Sequence, residues 1–319
     1  MAITRLAASA EDLQKDLRGK TYVITGANSG VGFATTRQLV TQGAHVVLAS
    51  RNVAKAEGAA SELAQLRGTV EVVKCDLSSL ASVRECVKAI QERHQVIDGL
   101  VGNAGGVMPN GASAILTDDG IEETFQSNFL GHFLLFESLL PQVRKSKDGR
   151  VLILSSVVHA GGMGQSGVPQ LHLDDVNFSH RKYSSFQAYG EAKLAAVMYA
   201  EELARREPEL FVASIHPGWA RSNFGRGAFG AGEFLLRIVQ PLTARWSDSN
   251  EEAAQTTLHC LLSQEARSHS GEYFSQHSVL YRDKKDKKGG WPMKSPNPHV
   301  DNRETQERLV RQAREMSGI

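Results

Sequence analysis

From Thr21 onward, short runs rich in β-branched and apolar residues alternate with longer stretches of helical periodicity, and few folds accept that rhythm. Strands are expected at residues 21–25, 45–49, 70–74, 99–101, 151–154, 211–216 and 272–273, and helical patterns at 32–42, 54–66, 80–94, 119–144, 187–206 and 251–262. Seven strands joined by helical crossovers predict an α/β fold: a single doubly wound parallel sheet of Rossmann type, with helices on both faces. No Pro/Ser-rich linker interrupts the alternation before Phe274, so one domain is expected over residues 1–319. Three stretches depart from the rhythm. Residues 157–186 and 221–247 are expected to be insertions that wall a substrate pocket. The Lys- and Pro-rich residues 283–298 are read as a solvated surface loop, opening a surface and C-terminal extension over 283–319 in which residues 303–316 form a candidate amphipathic helix over the pocket or a partner subunit.

Composition excludes several classes of function. Lys and Arg number 36 against 35 Asp and Glu, a net charge of +1, so no extended basic face for nucleic acid is expected. Cys75, Cys86 and Cys260 are scattered without a CxxC or Cys/His cluster, which argues against a disulfide framework and a structural zinc site. The first twenty residues are polar and no later window reaches the apolar length of a bilayer span, so no integral membrane segment and a soluble, cytoplasmic protein are expected.

The first strand runs into Thr25-Gly26-Ala27-Asn28-Ser29-Gly30-Val31-Gly32, and a helical pattern follows. Glycines at such a turn bring backbone close to a pyrophosphate, and the helix N-terminus offers free N–H groups and positive potential. The turn therefore reads as a dinucleotide cradle, although its spacing is G-x-x-x-G-x-G and not the commoner G-x-G-x-x-G. The second strand ends at Ser50-Arg51-Asn52, where an NAD-specific site would place a carboxylate against the ribose 2′-hydroxyl. A guanidinium there suits a 2′-phosphate, so NADP(H) is expected in preference to NAD(H). The alternative is that Arg51 is only a solvated residue at a helix start.

Tyr189 and Lys193 stand at i and i+4 on a helical pattern, and Ser155-Ser156 follow the fifth strand at its carboxyl end. Alone, the Tyr/Lys pair reads as an ordinary surface pair. Beside a nucleotide turn it reads differently: an ammonium next to a phenol, helped by the positive charge of an oxidised nicotinamide, would lower the phenol's ordinary value near 10 and let Tyr189 exchange a proton with an alcohol. A hydroxyl at Ser156 would hold the substrate oxygen.

Taken together, Thr25–Gly32, Asp76-Leu77 after the third strand, Asn103-Ala104-Gly105 after the fourth, Asn128, Ser156, Tyr189 with Lys193, and Pro217-Gly218 resemble the short-chain dehydrogenase/reductase family over nearly the whole chain. The resemblance implies that Asp76 and Leu77 flank the adenine, Asn103 stabilises the central sheet, Pro217-Gly218 border the nicotinamide, and Asn128 holds a water in a proton relay from Lys193. The interval from Ser156 to Tyr189, with Asp174-Asp175-Val176-Asn177-Phe178, and the run Asn128-Phe129-Leu130-Gly131-His132-Phe133 are similar to the retinol dehydrogenase and WW-domain oxidoreductase branch. Trp219-Ala220-Arg221-Ser222 departs from that branch's usual threonine-bearing sequence after Pro-Gly.

The expected activity is interconversion of a carbonyl and an alcohol on a lipophilic small molecule, without a metal, and the apolar, glycine-rich residues 224–241 read equally as a lid over the substrate or as a helix packed on the domain. A homodimer or homotetramer is what the resemblance implies. The alternative is a non-catalytic nucleotide-sensing or partner-binding protein on the same fold. His159 is read as a substrate contact or a hydrogen-bonded loop residue, and His132 as a packing residue.

Overall fold

The strand sequences are apolar at consecutive positions, and the sheet they form is buried on both faces. Val23, Val47, Leu100 and Val151 belong to one core cluster, while their chain neighbours Ile24, Leu48, Val101 and Leu152 belong to the other. Successive side chains of a strand point to opposite faces, so a run without polar alternation requires cover on each side. The computed structural model describes residues 6–108, 113–161, 165, 167–220, 248–276 and 290–319. The expected pocket wall at 221–247, with Arg221, Ser222 and the proposed lid, lies outside the described residues, as do Lys284, Lys285, Lys287 and Lys288.

The strands are β1 (Thr21–Thr25), β2 (His45–Ser50), β3 (Thr69–Lys74), β4 (Gly99–Gly102), β5 (Arg150–Leu154), β6 (Phe211–His216), β7 (Tyr273–Ser275) and β8 (Gly290–Met293). They lie in the order β3-β2-β1-β4-β5-β6-β7-β8, parallel as far as β7. The order reverses between β1 and β4, which leaves a crevice at the carboxyl ends of the strands, where open parallel sheets take ligands. Among the described residues the α-helices are α1 (Gly30–Thr41), α2 (Val53–Glu62), α3 (Leu80–Arg93), the short α4 (Glu123–Phe125), α5 (Gly131–Val143), α6 (Ser185–Arg206), α7 (Asn250–Leu262) and α8 (Arg303–Ser317).

Three expectations need correction. The sheet has an eighth strand, antiparallel to β7, inside the stretch read as a solvated loop. Its Gly and Pro disguise it, yet Met293 is buried, and Trp291 stacks on His259 of α7 at 4.3 Å between ring centroids. Pro292 is tolerated because β8 is an edge strand, where one row of backbone groups has no strand partner. The pattern at 119–144 is not one helix: the chain passes through α4 and a π turn over Gln126–Leu130 before α5 begins. Finally, α8 spends its apolar face on its own chain. Leu309, Val310 and Ala313 join the core beside α6, and Gln312 donates to the Leu173 carbonyl in the 157–186 insertion.

Candidate active site

At the end of β1 the turn Gly26–Ser29 leads into α1. Gly26 has φ +64°, and a Cβ there would stand 2.9 Å from the Cβ of Ala104, so the turn closes directly on the exit of β4. Ser29 caps α1 in extended conformation without a side-chain hydrogen bond, and the first turn, with Gly30, Val31 and Gly32, contains no acidic residue. Neither the cap nor the first turn of this helix therefore supplies a carboxylate to its positive end, which fits an anionic ligand beside Asn28 and Ser29. Asn103 Nδ2 donates to the Thr25 carbonyl at 2.8 Å, and the Ala104 N–H donates to Thr25 Oγ1 at 2.9 Å. Thr25 Oγ1 also bonds His132 Nε2 at 2.8 Å. These contacts tie β1, β4 and α5 together.

Ser50 is buried at the end of β2, and Asn52 caps α2 by accepting from the Lys55 N–H at 2.9 Å. Between them Arg51 is exposed and makes no ion pair among the described residues. Asp76 Oδ1 accepts from the N–H and Oγ of Ser78, while Leu77 is buried beside it.

The reactive groups converge at the ends of β4 and β5. Lys193 Nζ donates to the Leu154 carbonyl at 2.9 Å, and Ser155 Oγ donates to the Lys193 carbonyl at the same distance. The Lys193 ammonium nitrogen lies 5.5 Å from the centre of the Tyr189 ring, and Ser156 follows the end of β5, its Oγ accepting from the Val158 N–H at 3.5 Å. Gly105 has φ +159°, and a Cβ on it would fall 2.5 Å from Asn128 Oδ1 and 2.9 Å from Lys193 Nζ. Only glycine fits where those two side chains meet the backbone. Asn128, in the π turn, accepts from the Gly106 N–H at 2.9 Å and donates to the carbonyls of Gly106 and Thr124. Its side chain acts here as a clamp on the 105–106 loop.

Burial governs the electrostatics. It pulls Lys193 down to about 7 and pushes the Tyr189 phenol up, with the Ser156 hydrogen bond working the other way. Desolvation is the larger of the two influences on this phenol. His132 is held neutral by burial, at about 3, and His159 likewise at about 4. His159 bonds the Ser156 carbonyl and Ser295 Oγ and packs edge-on against Tyr273, so it is a structural histidine.

Pro217-Gly218 follow β6, with Gly218 at φ +95°. The turn is held by a residue that sequence reasoning missed: buried Asp248 accepts from the Trp219 N–H at 3.0 Å and donates its own N–H to the Trp219 carbonyl at 2.8 Å. The two lie 29 residues apart in sequence, so no local pattern could announce the pair.

A family model described as short chain dehydrogenase matches residues 20–169. Human retinol dehydrogenase 13 is 33% identical over 307 residues, which cover 94% of this chain and 85% of that protein. The chain belongs to the short-chain dehydrogenase family. It is an oxidoreductase of the retinol dehydrogenase branch: human retinol dehydrogenase 12 is 36% identical, covering 95% of this chain and 88% of the relative. In three dimensions this short-chain dehydrogenase is similar to the crystal structure of an uncharacterized protein from Mycobacterium paratuberculosis, with TM-score 0.71, 27% identity and 98% of each chain covered. Among the described residues no helix is long and apolar enough to cross a membrane.

The depressed value of Lys193 has a sign that can be checked. In the unfolded chain a lysine titrates near about 10.4, and in the fold Lys193 titrates at about 7, so between these values the unfolded state binds the extra proton and stability rises with pH. Below the folded value the buried charge costs its full amount. Relative to Lys193→Met, the wild-type chain is expected to gain stability from about pH 7 to about pH 9, by at most about 1.4 kcal/mol per unit. Urea unfolding of both proteins across that window measures it; a pH-independent difference would show that the fold does not depress this lysine.

Proposed function

We propose that this chain is an NADP(H)-dependent oxidoreductase that interconverts a carbonyl and an alcohol on a lipophilic small molecule, with Tyr189 as general acid and base. The observation that carries the reading is the convergence of Tyr189, Ser156 and buried Lys193 at the carboxyl end of β5. Two neighbouring hydroxyls there can both turn to one substrate oxygen.

The nucleotide's place follows from the cradle. Gly26, Asn28, Ser29, Gly30, Val31 and Gly32 at the start of α1 receive the pyrophosphate, and Ser50, Arg51 and Asn52 face the adenosine ribose. Asp76 and Leu77 flank the adenine; Asn103, Ala104, Gly105, Pro217 and Gly218 border the nicotinamide side. A bound nicotinamide supplies or accepts the hydride. The chain's residues do the rest. Ser156 and Tyr189 donate hydrogen bonds to the carbonyl oxygen, stabilising negative charge as it develops, and Tyr189 then delivers its proton to that oxygen. Lys193 offers the positive charge that steadies the phenolate left behind, and Asn128 keeps the 105–106 loop against both.

Arg51, exposed and without an ion-pair partner among the described residues, supports the 2′-phosphate reading, since no carboxylate neutralises it. Support for a lipophilic substrate comes from Trp219, 63% exposed immediately after Gly218, and from two relatives named for retinol, an apolar alcohol.

Two measurements test the reading. Tyr189→Phe is expected to lower kcat for carbonyl reduction by about 10²-fold or more, with the dissociation constant for NADPH unchanged in fluorescence titration. Near-wild-type turnover in the variant would remove Tyr189 from the chemistry. Arg51→Ala is expected to weaken NADPH about tenfold or more while leaving NADH within a factor of about two, the size of one lost charge-assisted contact. Equal weakening of both nucleotides would contradict the 2′-phosphate role.

A further inference from the structure

At the amino end of the sheet, far from the candidate active site, three elements bring His45, Glu71 and His94 together. His45 opens β2, Glu71 lies mid-way along edge strand β3, and His94 follows α3. Glu71 Oε2 lies 2.8 Å from His94 Nε2 and 3.5 Å from His45 Nε2. The three ligand atoms all fall within 4.8 Å of one another. Four tetrahedral bonds of the length zinc makes to nitrogen and oxygen separate neighbouring ligand atoms by about 3.4 Å, so the two measured separations bracket that spacing.

The ring orientations point the same way. His45 Nδ1 is bonded to Thr69 Oγ1 at 2.7 Å, the kind of outer contact that fixes the tautomer of a ligating histidine. Its Nε2 is buried and makes no hydrogen bond. With the proton on Nδ1, a bare lone pair faces a carboxylate oxygen, an arrangement of two acceptors that a cation between them would relieve. Arg93 bonds Glu71 Oε1 and so orients the carboxylate, leaving Oε2 toward the two rings. The three side chains are partly exposed, so an ion can reach them from solvent.

From this geometry we infer that His45, Glu71 and His94 form a binding site for a divalent cation of the zinc type, with solvent completing the coordination. The site joins β2, β3 and α3 at the edge of the sheet. Ser50, where the nucleotide region begins, is five residues along the same strand, or about 16 Å away. The ion is therefore a structural clamp that takes no part in the redox chemistry.

The test uses the full-length chain, free of any affinity tag and treated with chelator, titrated with zinc chloride by calorimetry. One zinc per chain is expected, with affinity falling at least about tenfold in His45→Gln and in His94→Gln, and no loss in His269→Gln, whose histidine pairs with a single carboxylate, Glu272. Zinc should raise the melting temperature of the wild type and leave that of the His45→Gln/His94→Gln double variant unmoved, and zinc-free melting curves establish that each variant is folded. Cobalt(II) added to the wild type should give the visible absorption of a four-coordinate site with nitrogen and oxygen ligands, a readout that needs no variant. Absence of saturable one-to-one zinc binding, or equal binding by the double variant, would overturn the inference.

Discussion

Lys193 donates from Nζ to the carbonyl of Leu154, and Ser155 donates back to the carbonyl of Lys193. This reciprocal pair fixes α6 to the end of β5, and the candidate site depends on it. A buried amine without a partner would destabilise the fold, so the helix can approach the sheet only in the register that satisfies it. That register buries Tyr189 one turn away. Small residues permit the approach: Ala192, Ala195, Ala196 and Ala200 are wholly buried on the same helix.

The opposite wall of the site is built with equal economy of space. The π turn at Gln126–Leu130 inserts an extra backbone step before α5, and Asn128 emerges from it to grip Gly106. Such turns interrupt regular helix where a side chain must be re-aimed. Because Gly105 carries no side chain, Asn128 and Lys193 close over the same backbone. The C-terminal segment then braces the 157–186 insertion: Asn297 donates to the carbonyls of His159 and Pro169, and Arg308 pairs with Asp174. The end of the chain thus holds the loop that follows Ser156.

Much of this was legible in the sequence. β1 to β6 announce themselves because a sheet covered on both faces needs consecutive apolar residues, and that requirement survives in any single chain. The turn at Gly26–Gly32 and the i, i+4 placement of Tyr189 and Lys193 are local, so they too can be read directly. What escaped is whatever depends on distant partners. β8 contains Gly290 and Pro292, which argue against a strand, and only the packing of Trp291 on His259 makes it one. The π turn preserves the apolar periodicity on both sides, so nothing in the pattern from 119 to 144 betrays one extra residue per turn. Asp248 and the His45, Glu71, His94 cluster draw their members from separate elements. The burial of this pair is hidden for a related reason: spacing reveals a lysine near Tyr189, but only the packed structure reveals that both groups lie out of water.

The central claim is that the two halves of the site, the nucleotide cradle at α1 and the hydroxyl pair at the end of β5, act on one reaction. Isotope transfer tests this most directly. Reduced nicotinamide nucleotide carrying deuterium at C4 would be incubated with the purified chain and a panel of lipophilic aldehydes and ketones, and the products weighed by mass spectrometry. The account requires a single deuterium on the carbinol carbon of at least one product, transferred without exchange with water. Binding of the nucleotide with no label transferred to any carbonyl in the panel would contradict it, and would leave a chain that binds its nucleotide without performing redox chemistry on such substrates.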